Sequence, residues 1–236
     1  MNSPAAESPE QLQFSPAQIE KAQALLDDFR VKEPDYEFLE LLTRYPDADY
    51  VLAEKICQLF KFEFVLYQPV TGLHGVTEGS CVLLAGYEIG ENDRRPIWTA
   101  GHEVSHMFAR RKVAEHAQLL AYIMRECVTD TAFYERSQRE KLARGLLRPF
   151  REDPVPEGWD ALVNEEVVAD ISGNLWQDPI FWADLYERDA NTSNRSVYTE
   201  VIARLNEARP EPYRPWARDV AKARDRLVEY TLGFID

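Results

Sequence analysis

Apolar residues recur at helical spacing along most of the chain, and one short stretch departs from that rhythm. Ser15-Pro16-Ala17-Gln18 reads as a helix start, with Ser15 as N-cap, Pro16 in the first turn and Gln18 completing a capping box. Ile19, Ala22, Leu25, Leu26 and Phe29 follow on one face. A second helix is expected around Phe38, Leu39, Leu41 and Leu42, and a third from Asp49 to Phe60. Lys61–Tyr67 is rich in aromatic and branched residues and predicts a strand. Pro69–Gly79 is a Gly-rich connection, and Ser80–Ile89 a second strand before the turn Gly90-Glu91-Asn92-Asp93. The two strands predict a small antiparallel sheet.

From Pro96 onward the pattern is helical. Helices are expected over 96–112, 114–147, 159–177, 180–190, 195–208 and 216–231, broken by the Pro-rich stretches 149–158 and 208–215. The fold class expected is α+β, mostly helical, with the small sheet preceding the helix at 96–112. Three regions are expected: a loose tail over 1–14, a helical region over 15–60 and the main domain over 61–236.

Composition narrows the function classes. The 236 residues carry 41 Asp+Glu against 27 Lys+Arg, a formal charge of -14. Such a chain repels phosphate, so no nucleic-acid partner is expected. The hydrophobic fraction of 45% supports a core. Cys57, Cys81 and Cys127 form no CxxC pair, which fits a reducing compartment. The first residues lack a basic and an apolar region of signal-peptide type, and no apolar run reaches membrane-spanning length. The expected location is cytoplasmic, signal-less secretion as an effector being the alternative, and no membrane partner is expected. Charge is uneven: residues 110–151 hold ten Lys/Arg against five Asp/Glu, and residues 152–190 hold eleven Asp/Glu against one Arg. Two solvated helix faces explain that asymmetry; metal-site carboxylates in the acidic part are the sharper reading.

The chemistry lies in His102-Glu103-Val104-Ser105-His106, an HExxH sequence. On a helix, His102 and His106 lie one turn apart on one face, where both imidazoles reach a single Zn²⁺. Glu103, next to the first histidine, suits a general base that takes a proton from activated water and returns it to a leaving amine. Ile97, Ala100, Val104, Met107 and Phe108 give the helix an apolar stripe. A catalytic zinc usually has three protein ligands and an open position. The elongated motif with a third histidine is absent, because Ala109 and Lys112 stand where its Gly and His would be. A carboxylate is the better third ligand. Glu166 and Asp170 are i and i+4 on the helical segment 159–177, so Glu166 is assigned to the metal, with Glu165 as the alternative. Asp170 would accept a hydrogen bond from the far nitrogen of a ligating histidine.

The helix IWTAGHEVSH followed by EEVVADISGNLWQDP resembles the HExxH-plus-Glu zinc peptidases called gluzincins. Within them it is most similar to the ImmA/IrrE-type metallopeptidases, and it also resembles zincin domains of phage and mobile-element proteins. The likeness covers roughly residues 60–182. It implies a zincin-like domain, Zn²⁺ as cofactor, a specific protein or peptide as substrate, and a narrow intracellular or mobile-element role. Ser105 stands where the ImmA/IrrE pattern has Gly, and Asp170 where it has Asn.

Donors for a developing oxyanion would come from His74, Tyr87, Tyr122, Tyr198 or Arg195. Trp159, Trp176, Phe181 and Trp182 are expected in the core, and Cys81 as a buried strand thiol. Two readings compete with the peptidase: a catalytically silent zincin scaffold that binds or regulates, and an acidic interaction protein without metal. The oligomeric state is open.

Overall fold

A computed structural model describes residues 12–88, 94–112, 114–126, 159–189 and 193–207. The protein is mixed α+β and mostly helical: among the described residues there are seven α-helices and one three-stranded sheet. None of these helices is long and apolar enough to cross a membrane. The chain divides into two compact units, Met1–Glu103 and Val104–Asp236.

In the first unit, α1 (Pro16–Lys32) begins as the sequence predicts. The Ser15 side chain accepts from the Gln18 amide, and the Gln18 side chain accepts from the Ser15 amide at 2.9 Å, a reciprocal capping box. Next comes α2 (Ala48–Leu59), capped by Asp47. Three strands follow: β1 (Glu63–Tyr67), β2 (Gly75–Glu78) and β3 (Cys81–Ala85), in the spatial order β1-β3-β2.

Two expectations need correction here. The sheet is not a simple antiparallel pair: β1 and β3 run parallel, with Val65 opposite Leu83. The Gly-rich connection contains β2, which pairs antiparallel with β3 and reverses the chain before β3 lies down beside β1. Nor is there a helix around Phe38–Leu42. A single 3-10 turn, Pro34–Tyr36, leads into extended chain. The Leu42 amide donates to the Leu66 carbonyl at 3.0 Å, and the Gln68 amide to the Glu40 carbonyl at 2.7 Å. The edge of β1 offers backbone partners that a short isolated helix would forgo, so tertiary pairing overrides the local apolar pattern.

Both faces of the sheet are buried. Val65, Tyr67, Cys81, Leu83 and Ala85 pack with Ala22, Leu26 and Phe29 of α1 and with Leu39. The alternate face carries Phe64, Leu66, Thr77, Val82 and Leu84, all buried. Helix α3 (Pro96–Arg110) starts in this unit. Its lead-in is tied to the first turn of α2, where Nε and Nη2 of Arg95 donate to Oδ2 of Asp49 at 3.1 and 2.7 Å.

The second unit takes up the rest of α3 and adds α4 (Ala114–Glu126), α5 (Trp159–Trp176), α6 (Pro179–Arg188) and α7 (Arg195–Glu207). Asp178 separates α5 from α6 and caps the latter by accepting from the Ile180 amide at 2.9 Å. Trp176, Phe181, Trp182 and Tyr198 are buried together, with the Trp182 indole donating to the Trp176 carbonyl at 2.7 Å. Those aromatic positions belong to the core, as expected; the side chain of Trp159, the later part of the helix expected over 114–147 and the helix expected over 216–231 lie outside the described residues.

Candidate metal centre

Helix α3 carries His102, Glu103 and His106, all buried, on a strongly amphipathic segment. Ile97, Ala100, Val104, Met107 and Phe108 supply its apolar side, and all five are buried. The two imidazoles emerge one turn apart, as the helical repeat requires. A ring stack holds the first: Trp98, one turn earlier, lies over His102 with ring centroids 5.1 Å apart and planes tilted by 22°. The Arg94 guanidinium covers Trp98 in turn, 4.1 Å from its ring centre.

The second imidazole meets α5. Nδ1 of His106 is 2.7 Å from Oε1 of Glu165, and Nε2 is 3.2 Å from Oε1 of Glu166. A carboxylate this close to Nδ1 makes that nitrogen the proton donor, so in the neutral ring the lone pair sits on Nε2. Glu166 thus stands beside the nitrogen that carries the lone pair. One ligand-capable atom from each of His102, His106 and Glu166 lies within 4.8 Å of the others. Two imidazoles and one carboxylate are a donor set of the kind that a metal ion such as zinc can take.

The structure places His102, His106 and Glu166 close together. Glu165, the alternative ligand, lies against Nδ1 of His106, the ring nitrogen opposite the one that faces Glu166. Asp170, the residue expected to orient a ligating histidine, follows Glu166 by one turn on α5.

Glu103 lies in the first unit against β2. Its side chain is 8% exposed, and it sits directly under Gly75, where the glycine leaves room for the carboxylate. The Tyr67 hydroxyl feels this charge: burial raises its pKa first, and Glu103 raises it further. Tyr67 donates to the Leu73 carbonyl at 3.2 Å.

The remaining residues singled out from the sequence are engaged as follows. His74 and Tyr87 pack ring against ring at 5.5 Å, and Tyr87 donates to the Val70 carbonyl at 3.3 Å. Tyr198 belongs to the α6–α7 core and faces Asp189. Arg195 lies over the Tyr186 ring, and the side chain of Tyr122 is outside the described residues. His116 on α4 is buried with Nε2 3.4 Å from the Ser105 hydroxyl, and burial lowers its pKa. Cys81 is buried, and burial pushes its thiol up to about 12, so it is no thiolate ligand at neutral pH.

Sequence reasoning missed Trp98, Glu165 in its outer role, and Gly75. The signal for Trp98 was available, since it precedes His102 by one helical turn. Gly75 carried none, because a glycine in a Gly-rich connection reads as a turn. Comparison with protein-family models, curated proteins and solved structures finds no match to this chain.

Proposed function

We propose that the protein is a zinc-dependent metallopeptidase that hydrolyses peptide bonds of a specific protein substrate. The observation that carries this reading is the convergence of His102, His106 and Glu166 on one spot, with Glu103 buried next to His102 on the same helix. His102, the Nε2 atom of His106 and one oxygen of Glu166 would hold the ion. A bound Zn²⁺ supplies Lewis acidity, which acidifies water and polarises a carbonyl.

The chain's own residues do the rest. Glu165 keeps the proton of His106 on Nδ1 and fixes the plane of the ring. Trp98 restricts rotation of the His102 ring. Glu103 accepts a proton from the attacking water and delivers it to the departing amine nitrogen. The walls around Glu103 exclude bulk solvent, which strengthens its electrostatic influence on the reacting atoms. A structural zinc site has no need of a buried carboxylate in that place, which favours an enzyme over a silent scaffold.

The ImmA/IrrE-type and mobile-element likenesses support a narrow substrate range, a regulator or partner protein rather than bulk protein. Elemental analysis by plasma mass spectrometry tests the reading. Near-stoichiometric zinc is expected in the unaltered protein, and strongly reduced zinc in His102→Ala and Glu166→Ala. Glu103→Gln is expected to keep its zinc and lose hydrolysis. An unaltered protein that takes up no zinc after reconstitution overturns the proposal and favours an acidic interaction protein.

A further inference from the structure

Gly75 is the first residue of β2 and lies opposite Leu84 in the sheet register. Positive φ angles occur at Gly72 (83°) and Gly79 (60°), so those two turns need glycine for their backbone shape. Gly75 is different: its φ lies outside that region. What it needs is space. A Cβ at position 75 would stand 2.8 Å from Cγ of Glu103, 2.8 Å from its Oε1 and 2.9 Å from Cγ2 of Thr99, all closer than real Cβ contacts come. Register explains why. Gly75, Leu84 and Leu66 share one sheet face, so the missing side chain of Gly75 points at the start of α3.

A methyl group there has few ways to be accommodated. Thr99 is β-branched, 4% exposed and one turn from Glu103, so its side chain has little rotational freedom. Glu103 has a flexible arm and is the group that would yield. Its displacement would move the carboxylate away from the position it holds beside His102.

We propose that Gly75 is a positioning residue for Glu103: the bare backbone at the start of β2 is what lets the carboxylate occupy its place on α3. The catalytic meaning of this contact rests on the peptidase reading above, while the contact itself does not.

The test is Gly75→Ala in the full chain, with Glu103→Ala and the double variant. Zinc affinity is read by competition with a chromophoric chelator, hydrolysis with fluorescein-labelled casein, and stability by thermal unfolding. Gly75→Ala is expected to keep zinc affinity and KM while kcat falls about 10²-fold, the scale of a mispositioned general base. In the Glu103→Ala background, where Cγ and Oε1 are gone, the loss of Tm caused by Gly75→Ala is expected to shrink to under about half.

An unchanged kcat, or a zinc affinity that falls in parallel with kcat, overturns the positioning role. Tm losses that simply add overturn the contact. Failure of the unaltered protein to bind zinc sinks the peptidase reading alone, and the Tm comparison still decides whether Gly75 sets the Glu103 arm. If zinc binds and casein stays intact, that same comparison decides: coupled losses uphold the placement of Glu103 and additive losses overturn it.

Discussion

Glu165 reaches Nδ1 of His106 at 2.7 Å while its neighbour Glu166 faces the opposite nitrogen of the same ring. Two successive residues of α5 thus bracket one imidazole. Their side chains are 29% and 19% exposed, so both sit at the rim of the buried cluster. On the proposed zinc reading, the pair would separate two tasks that a single carboxylate cannot perform together: ligation, and control of the tautomer.

This division makes a graded prediction. Glu165→Gln keeps an oxygen that can accept from Nδ1 but loses the charge, and zinc affinity is expected to drop about 10-fold to 100-fold. Glu166→Gln is expected to cost more, because it removes a ligand. Chelator competition measures both. Equal losses would mean that the two glutamates share the ion.

Trp98 anchors the other imidazole. Trp98→Ala removes a buried ring that stacks on His102, and the expected cost is about 3–5 kcal/mol of stability. Arg94→Gln removes the cation over that ring, at an expected cost of about 0.5–1 kcal/mol. Urea unfolding distinguishes the two, and equal effects would show that the stack contributes nothing beyond the Arg94 charge.

Glu54 offers a pH test that does not involve the candidate metal site. It accepts a hydrogen bond from the Tyr45 hydroxyl and another from the Gln58 side chain at 3.1 Å. Burial raises its pKa above the ordinary 4.5, only partly offset by Tyr45 and Lys21. The folded protein therefore holds this proton more tightly than the unfolded chain. Stability falls as pH rises from the unfolded value through the folded one, and the full cost is present above the folded pKa. Glu54→Gln keeps an acceptor for Tyr45 and removes the buried charge. It is expected to raise Tm at neutral pH and to match the unaltered protein in acid. A lower Tm at neutral pH would show that the charge strengthens the Tyr45 bond by more than burial costs.

Gly86 reports on the packing beside the sheet. It is buried, and a Cβ at this position would run into the Leu42 side chain. Its own amide donates to the Tyr67 carbonyl at 2.9 Å. Gly86→Ala is expected to cost about 1–3 kcal/mol, the range for overpacking a filled site. Gly86→Ala combined with Leu42→Ala should recover part of that loss in thermal unfolding.

What could be read from the chain alone follows from how local each feature is. The capping box at Ser15 and Gln18, the placement of His102 and His106 on one face, and Glu166 on a later helix all depend on periodicity within one element. The parallel pairing of β1 and β3 depends on a four-residue strand, Gly75–Glu78, too short and too polar to stand out from its loop. Leu41 and Leu42 carry an apolar signal that fits a helix, yet their backbone is claimed by β1. Which carboxylate faces which nitrogen of His106 depends on the rotation of α5 about its own axis, and that is set by packing. Gly75 is legible only when Glu103 is seen beneath it.

The extended segment around Glu40–Leu42 has a further consequence. The sheet is apolar on both faces, and an uncovered β1 would present a flat row of unpaired amides and carbonyls to other molecules. Hydrogen bonds from Leu42 to Leu66 and from Gln68 to Glu40 occupy the C-terminal end of that row. Among the described residues, the opposite rim is β2, only four residues long and ending in the charged Glu78. Short length and charge are the usual guards against edge-to-edge growth. This sheet is thus guarded by a strap at the end of one rim and by brevity on the other, and the strap is the side on which a loosening substitution would expose a template for self-association.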